Sequence, residues 1–414
     1  MTEQKVIIVG GGLAGLVLAQ GLKKNGIAYE IYERDESDSS RSQGLSLSIH
    51  WALPYIEKCM DAEQFQRIGE ASVNPSNPDN VNFVIIDGPT GDVLLKLNAA
   101  PNTKTNKTYR MSRKKLREFL GEGTDINWNK KFKEYELTDQ GVTVRFEDGH
   151  ETKGSLLVGA DGAKSRVADQ LCGSCIQKFV FPLVFVVVTV RLNREQYEDI
   201  RKISSTHGVG YGPSTGHEGN YSLFFSMLDV SESEDIYEII IAFTWLDSSG
   251  EHELAEDQAS RIQKLKDIGL LFCEPFNSIL QGLKGDEPIW TTKILEKTPS
   301  PWDNSGKVTL IGDAAHSMSM FRGEGGNHAI RDAAELCDYL VATKNGKLGV
   351  KEALDQYEQE MIKRGANAVK LSHKATFMSH EPSKFYTRFA FRAVSVALKC
   401  YLYANSWKDY MFGN

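Results

Sequence analysis

Residues 5–9 (Lys-Val-Ile-Ile-Val) form a short β-branched apolar run, the pattern of a buried parallel strand. The period then changes. Leu13, Leu16, Val17, Ala19 and Leu22 recur at helical spacing over 13–24, and Asn25-Gly26 closes the segment. Residues 28–33 alternate as a second strand, so a βαβ unit occupies the first part of the chain. Farther on, 81–97 read as strands around the turn Asp87–Gly91, 113–121 as a helix, and 132–148 as a β-meander. Residues 179–192 are almost continuously apolar and read as one long buried strand. Strands over 220–230 and 236–246 flank an acidic loop, and helices are expected near 255–268 and 271–282. Residues 307–311 are again a buried strand, leading through glycines to a helix over 329–344 and a helical tail from about 351. The expected architecture is therefore α/β, with a discontinuous α/β domain interrupted by a β-rich insert and followed by helices.

The first strand runs into Gly10-Gly11-Gly12-Leu13-Ala14-Gly15, a G-x-G-x-x-G that opens the helix, and Gly15 lies eighteen residues before Glu33 at the end of the second strand. In that context the motif is a dinucleotide fingerprint of Rossmann type. Gly10 permits the tight turn, Gly12 lets a pyrophosphate approach the helix N-terminus, Gly15 permits close packing, and Glu33 can accept from a ribose. Alone it does not separate NAD from FAD.

Two further motifs do. Residues 156–166 end a strand in Asp161-Gly162, followed by Ser165-Arg166. The strand 307–311 runs into Gly312-Asp313-Ala314-Ala315-His316 and then Arg322-Gly323-Glu324-Gly325-Gly326-Asn327-His328. A carboxylate at a strand end, with glycines and a helix N-terminus behind it, suits a ribityl chain and a diphosphate. Together the three motifs resemble the FAD-dependent aromatic hydroxylases, the group A flavoprotein monooxygenases, over residues 5–345. The resemblance implies a Rossmann-like FAD-binding domain made of 1–70, 100–178 and 300–365, a substrate domain made of 71–99 and 179–299, and C-terminal helices over 366–414. It implies that Gly10, Gly12, Leu13, Ala14, Gly15, Glu33 and Arg34 hold the ADP half. Gly312 and Asp313 would meet the ribityl–pyrophosphate region, with Gly325, Gly326 and Asn327 near the isoalloxazine. Asp161 and Gly162 match a motif tied to both FAD and NAD(P)H. The loop with Arg41, Gln43, Gly44 and Ser46 would lie beside the flavin. So would Arg113, which opens an R-x-x-L-x-x-x-L helix and has Arg110 as a rival three residues upstream. Where many members carry Pro-Pro-Phe-Gly-Gly-Gln-Gly, this chain has Ser319-Met320-Phe321-Arg322-Gly323-Glu324-Gly325, a form most similar to fungal biosynthetic members.

The implied reaction is monooxygenation. FAD is reduced by NADPH or NADH, and one atom of O2 enters a small aromatic or polycyclic substrate by hydroxylation or epoxidation. Catalytic candidates in the β-rich middle are Arg191 and Tyr221, which could stabilise an oxyanion or bond a phenol or carbonyl; strand-end surface roles are the alternative. His316 reads as structural. Gly208-Val209-Gly210-Tyr211-Gly212-Pro213 reads as a loop over the substrate pocket rather than a second nucleotide motif. An FAD-dependent dehydrogenase without oxygen insertion and a flavin-scaffolded cyclase or isomerase remain as rivals.

Composition narrows this little further. The 414 residues carry a net charge of -7, which argues against nucleic acid as a partner, since phosphate binding needs a basic footprint. No metal-ligand cluster is expected. Six scattered cysteines suit a reducing, cytoplasmic setting, and Cys172-Gly-Ser-Cys175 reads as two thiols in a surface turn rather than a redox pair or half a zinc site. No apolar stretch is long enough to span a bilayer. Residues 388–404 are amphipathic, either packed on the body or touching a membrane surface. A monomer or homodimer is expected.

Overall fold

The computed structural model describes residues 5–37, 45–98, 107–173, 175–213, 221–247 and 257–380. The chain divides into two compact units. The first comprises Met1–Pro78, Pro101–Phe181 and Ile294–Thr376, and the second Asp79–Ala100, Pro182–Lys293 and Phe377–Asn414.

The first unit is built on a parallel sheet. Its strands, in spatial order among the described residues, are Val308–Leu310, Leu156–Gly159, Lys5–Val9, Ala28–Tyr32 and Ile126–Asn127. The central strand pairs Ile8 with Val158 on one side and Ile31 on the other. After Lys5 it is apolar and buried throughout, as expected for a central parallel strand. Helix Leu13–Lys24 is buried along almost its whole length. Gly21 lets the helix Gly325–Lys344 approach, since a Cβ there would lie 2.8 Å from the Cys337 sulfur. The meander is present as Phe132–Thr138, Gly141–Phe146 and Glu151–Gly154. A short antiparallel pair, Ser46–Ile49 with Tyr109–Ser112, joins elements some sixty residues apart in sequence, with Ser46 opposite Ser112 and Ser48 opposite Arg110.

The second unit is a mixed sheet. Among the described residues its order is Ile289–Thr291, Leu183–Arg191, Ile236–Leu246, Ser222–Ser231, His207–Tyr211, Asn82–Asp87 and Val93–Asn98. Phe272 and Phe276 pack with tilted rings against Phe243 and Phe225 of this sheet.

Two sequence expectations are corrected. The run 179–192 is not one strand: Gln177–Val180 pairs with Leu295–Thr298 in the first unit, and Leu183–Arg191 pairs with Ile236–Leu246 in the second. The break falls at Pro182, which has no N–H to give to a ladder. The glycine-rich segment at 208–212 is not a loop, because Gly208 and Gly210 lie inside the strand His207–Tyr211. They are glycine for packing: a Cβ on Gly208 would meet Val84 at 2.6 Å and Phe225 at 2.7 Å. Cys172 and Cys175 stand side by side at the end of the helix Arg166–Cys172, with Cys175 N–H on the Cys172 sulfur at 3.1 Å. No helix of the described residues is long and apolar enough to cross a membrane. The amphipathic stretch 388–404 lies outside the described residues.

Candidate cofactor site

The site in the first unit is assembled where strand ends meet helix starts. Gly10 leaves the central strand with φ +119 and donates its N–H to the Tyr32 carbonyl at 2.8 Å. A Cβ at Gly10 would strike the Ala160 carbonyl oxygen at 2.3 Å, so this glycine lets the first loop lie against the Asp161-Gly162 loop. At Gly15 a Cβ would lie 2.0 Å from the Gly10 carbonyl oxygen. Gly12 differs from both: nothing stands within 4 Å of its would-be Cβ, and it caps the twelve-residue helix without a side chain. An open, uncapped N-terminus of this kind is a ready anion seat. Leu13 is half-buried, and Ala14 is buried against the Gly312 turn.

Glu33 is buried at 6% exposure and accepts from Gly11 N–H at 2.7 Å and Asp35 N–H at 3.0 Å. Arg117, which the sequence reading passed over, draws the group together. Its Nε donates to the Gly11 carbonyl at 2.8 Å, and it lies 3.2 Å from Asp35 and 3.5 Å from Glu33. Its guanidinium also covers the Trp128 ring. The available signal was its position one helical turn after Arg113. Arg34 is exposed.

The Asp161 carboxylate is engaged locally. It accepts from the Ser165 hydroxyl at 2.5 Å and from Arg166 N–H at 2.8 Å, and so holds the start of the helix Arg166–Cys172. Burial pushes its pKa up against those donors. Gly162, at φ +82, has open space beside it.

Gly312 (φ +60) donates its N–H to Asp332 at 2.8 Å, and Asp313 starts the short helix Asp313–His316. Asp313 keeps accessible surface, yet its surroundings are dense enough that burial raises its pKa against the pull of His316, Arg113 and Lys297. It therefore lines a recess. Gly325 closes one side, its would-be Cβ 3.9 Å from Asp313 Oδ1. Gly326 is demanded by packing, with Leu47 at 2.8 Å. The Asn327 side chain is spoken for: it donates to the Ser48 carbonyl at 2.9 Å and accepts from His50 N–H at 3.2 Å. That clamp ties Ser46–Ile49, with half-buried Ser46, to the helix start. In place of the family's prolines, Ser319 donates to the Ser372 carbonyl at 3.2 Å and accepts from the Thr376 hydroxyl at 2.6 Å, pinning the loop to the helix Val350–His380.

Of the two arginines weighed in the sequence, Arg113 is exposed at the start of its helix and acts electrostatically on Asp313. Arg110 is buried, donates to the Ser48 hydroxyl at 3.0 Å, and is pushed down to about 9 by burial. Arg41, Gln43 and Gly44 lie outside the described residues.

Behind the Gly312 turn sits a buried polar hub whose Asp332 and Arg364 no motif announced. Asp332 accepts from Gly312 N–H, lies 2.6 Å from His316 Nε2, and accepts from Arg364 at 2.8 Å. Burial raises its pKa, but His316 and Arg364 outweigh burial and hold it at about 2. His328 behaves oppositely. Burial, then Arg364 and His316, lower it to about 4, and its Nδ1 faces the Arg364 guanidinium at 3.0 Å as an acceptor. A folded-state value below the ordinary 6.5 means the unfolded chain takes up a proton that the folded chain refuses. The contribution of His328 is thus complete above pH 6.5 and declines as pH falls toward about 4, by up to roughly 3 kcal/mol. Glu358, raised to about 7 chiefly by burial, runs the other way over an overlapping range. The difference between wild type and His328→Gln isolates the histidine. Chemical denaturation between those pH values should show a shallower acid loss in the variant, and parallel curves would contradict this assignment.

The candidates in the second unit are not brought together. Arg191 is exposed and lies 3.5 Å from Glu238 near the 231–236 hairpin. Tyr221 is buried near the other end of the sheet, edge-on to Trp245 and under Lys264. Ser222 pairs with Thr244 and Arg191 with Glu238, so six residues of one strand, about 20 Å, separate the two ends. At the Tyr221 end the sequence reading missed His380, 2.8 Å from the Thr244 hydroxyl, and Tyr211, bonded to Ser379.

Comparison with known proteins agrees with this geometry. The chain matches the FAD binding domain family over residues 3–266 and 293–372. It is 37% identical over 347 residues to the FAD-dependent monooxygenase dbaB of Emericella nidulans, covering 81% of this chain and 86% of the relative. It is 30% identical over 389 residues to the FAD-dependent monooxygenase phnB of Penicillium herquei, covering 92% of each. The fold is that of Klebsiella pneumoniae HpxO, solved with FAD and uric acid, at a TM-score of 0.76 and 22% identity over 95% of this chain and 93% of that one. It is likewise that of the 2,6-dihydroxypyridine-3-hydroxylase of Arthrobacter nicotinovorans, at 0.73 and 18%, over 92% and 94% of the two chains. The chain belongs to the FAD binding domain family, and within it to the FAD-dependent monooxygenases.

Proposed function

We propose that this enzyme takes electrons from NADPH or NADH and inserts one atom of O2 into a small aromatic or polycyclic substrate of biosynthetic type, in the cytoplasm. The observation that carries the reading is the meeting of three loops in the first unit. The open N-terminus at Gly12, the Asp161-Gly162 turn and the Asp313 recess all belong to a chain of this family. These residues fit FAD: an uncapped helix start suits the diphosphate, Glu33 backed by Arg117 suits a ribose, and Asp313 suits a ribityl hydroxyl.

In this reading Gly10, Gly12, Leu13, Ala14 and Gly15 receive the diphosphate by backbone approach, and Glu33 accepts from the ribose while Arg117 fixes its angle. Arg34 is left at the rim. Asp313, flanked by Gly312, accepts from the ribityl chain, and Asp161 with Gly162 positions the wall beside it. Gly325, Gly326 and the Asn327 clamp hold the backbone facing the ring, with Ser46 at its strand start and Arg113 at its helix start on the other side, and Arg41, Gln43 and Gly44 as further candidates. When bound, FAD supplies the two-electron redox and oxygen chemistry, and the protein supplies orientation and a dry setting. Tyr221, buried and aromatic-walled, is the stronger candidate to orient substrate. Arg191, exposed and facing Glu238, serves the rim of the sheet.

The test follows the flavin's visible absorbance anaerobically as NADPH or NADH is added, with candidate aromatic substrates, and then admits 18O2. Bleaching, return with air and one labelled oxygen atom in the product are expected. Bleaching with an unlabelled product would make the enzyme a dehydrogenase. Turnover without nicotinamide oxidation would make it a scaffolded isomerase.

A further inference from the structure

Lysine is rarely sealed inside a protein, because its ammonium loses hydration that only acceptors or counter-charges can replace. Lys297 is 1% exposed. It lies on the strand Leu295–Thr298, whose register beside the Gly312-Asp313 segment is set by its own N–H donating to the Ser317 carbonyl at 2.8 Å. Its ammonium donates to the carbonyl of Ala314 at 3.3 Å, and among the described residues that is its hydrogen-bond partner. Ala314 directly follows Asp313 in the short helix.

One long hydrogen bond does not replace the hydration of an ammonium, so the remaining compensation is charge. The charges that act on Lys297 are Asp161 in the loop after Leu156–Gly159, Asp169 on the helix Arg166–Cys172, Lys178 on the strand Gln177–Val180 and Asp313 on the short helix. Three carboxylates therefore stand against two ammoniums. Asp169 already pairs with Lys178 at 2.5 Å, which leaves Lys297 to Asp161 and Asp313. Those two belong to the two separate carboxylate motifs of the FAD site. Each is pushed toward its neutral form by burial, and Lys297 pulls Asp313 back toward the ionised form.

We propose that Lys297 is a positioning residue for FAD: its buried ammonium fixes the first turn after Gly312 through the Ala314 carbonyl and places a positive charge behind the two carboxylate motifs of the site. A methionine would fill the same volume at lower desolvation cost, so a purely packing role gives no reason for a charge here. Burial lowers the lysine's own pKa, so its charge is lost at a lower pH than that of an exposed lysine.

The experiment titrates apoprotein with FAD across pH for wild type, Lys297→Met and Lys297→Arg, with the melting temperature of each apoprotein alongside. Lys297→Met is expected to bind FAD about tenfold or more weakly near neutrality, the scale of one lost buried charge interaction. Its apoprotein should melt no lower than wild type, and the acid limb of FAD binding should move to higher pH as the two carboxyls hold their protons longer. Lys297→Arg should keep the wild-type acid limb and lose the alkaline fall in affinity, because a guanidinium stays charged. An unchanged affinity and acid limb in Lys297→Met overturns the proposal. If Lys297→Met does not fold, the arginine variant decides alone: an alkaline fall identical to wild type overturns it, and its disappearance supports it.

Discussion

Asp332→Asn should purify without FAD and unfold with a loss of roughly 3–5 kcal/mol, the cost of breaking one side of a buried ionic group. The carboxylate has no accessible surface. One oxygen serves Gly312 N–H and His316 Nε2, and the other serves Arg364. An asparagine has one acceptor oxygen. Whichever way its amide turns, an NH2 faces either the guanidinium or the Gly312–His316 donors, and the buried cation loses its closest counter-charge. Because Gly312 carries the turn that presents Asp313, the damage should reach the cofactor as well as the fold. Urea denaturation gives the stability, and the ratio of visible flavin to protein absorbance gives the occupancy. A variant that unfolds early but retains FAD in full would detach the hub from the site.

Gly15→Ala and Gly12→Ala should part company, although the two glycines belong to one motif. At Gly15 the added carbon would sit 2.0 Å from the Gly10 carbonyl oxygen, and Gly10 is itself held by the Tyr32 carbonyl and wedged on Ala160. Neither backbone can retreat, so the substitution should cost several kcal/mol, at least the ~1–3 kcal/mol of an overpacked core, and give little folded protein. At Gly12 the added carbon meets nothing. The Gly12→Ala apoprotein should melt within a few degrees of wild type, since exchanging a glycine N-cap for alanine costs about 1 kcal/mol or less. Its FAD affinity should fall by about tenfold or more, because the methyl occupies the face on which a diphosphate must approach the backbone. Thermal scans of apoprotein and FAD titration check both arms. A Gly12→Ala protein that binds FAD as tightly as wild type would move the diphosphate away from this helix start.

The division between what was legible and what was not follows the range of the interactions. The opening βαβ unit was readable because its determinants are neighbours in the chain: a β-branched run, glycines at fixed offsets, a helical stripe and an acid at the second strand's end. The discontinuous α/β plan was readable for the same reason, since each piece carries its own periodicity. Two local readings failed where the tertiary arrangement overrode the pattern. The apolar run 179–192 is divided between two sheets at Pro182. Gly208 and Gly210 look like a loop until neighbouring strands press on them, Val84 and Phe225 on the first and Ile86 and Leu223 on the second.

The sequence by itself determined where the chain turns from strand to helix and which residue types stand at those turns. Only the tertiary structure decided which of them have a free side chain. Asn327 is consumed by Ser48 and His50, Asp161 by its own helix start, and Glu33 is braced by Arg117. Asp332 and Lys297, which no motif marks, stand directly behind the Gly312-Asp313 turn. The physical reason is burial: a charge removed from water must find its partners in space, and those partners lie up to hundreds of residues away along the chain.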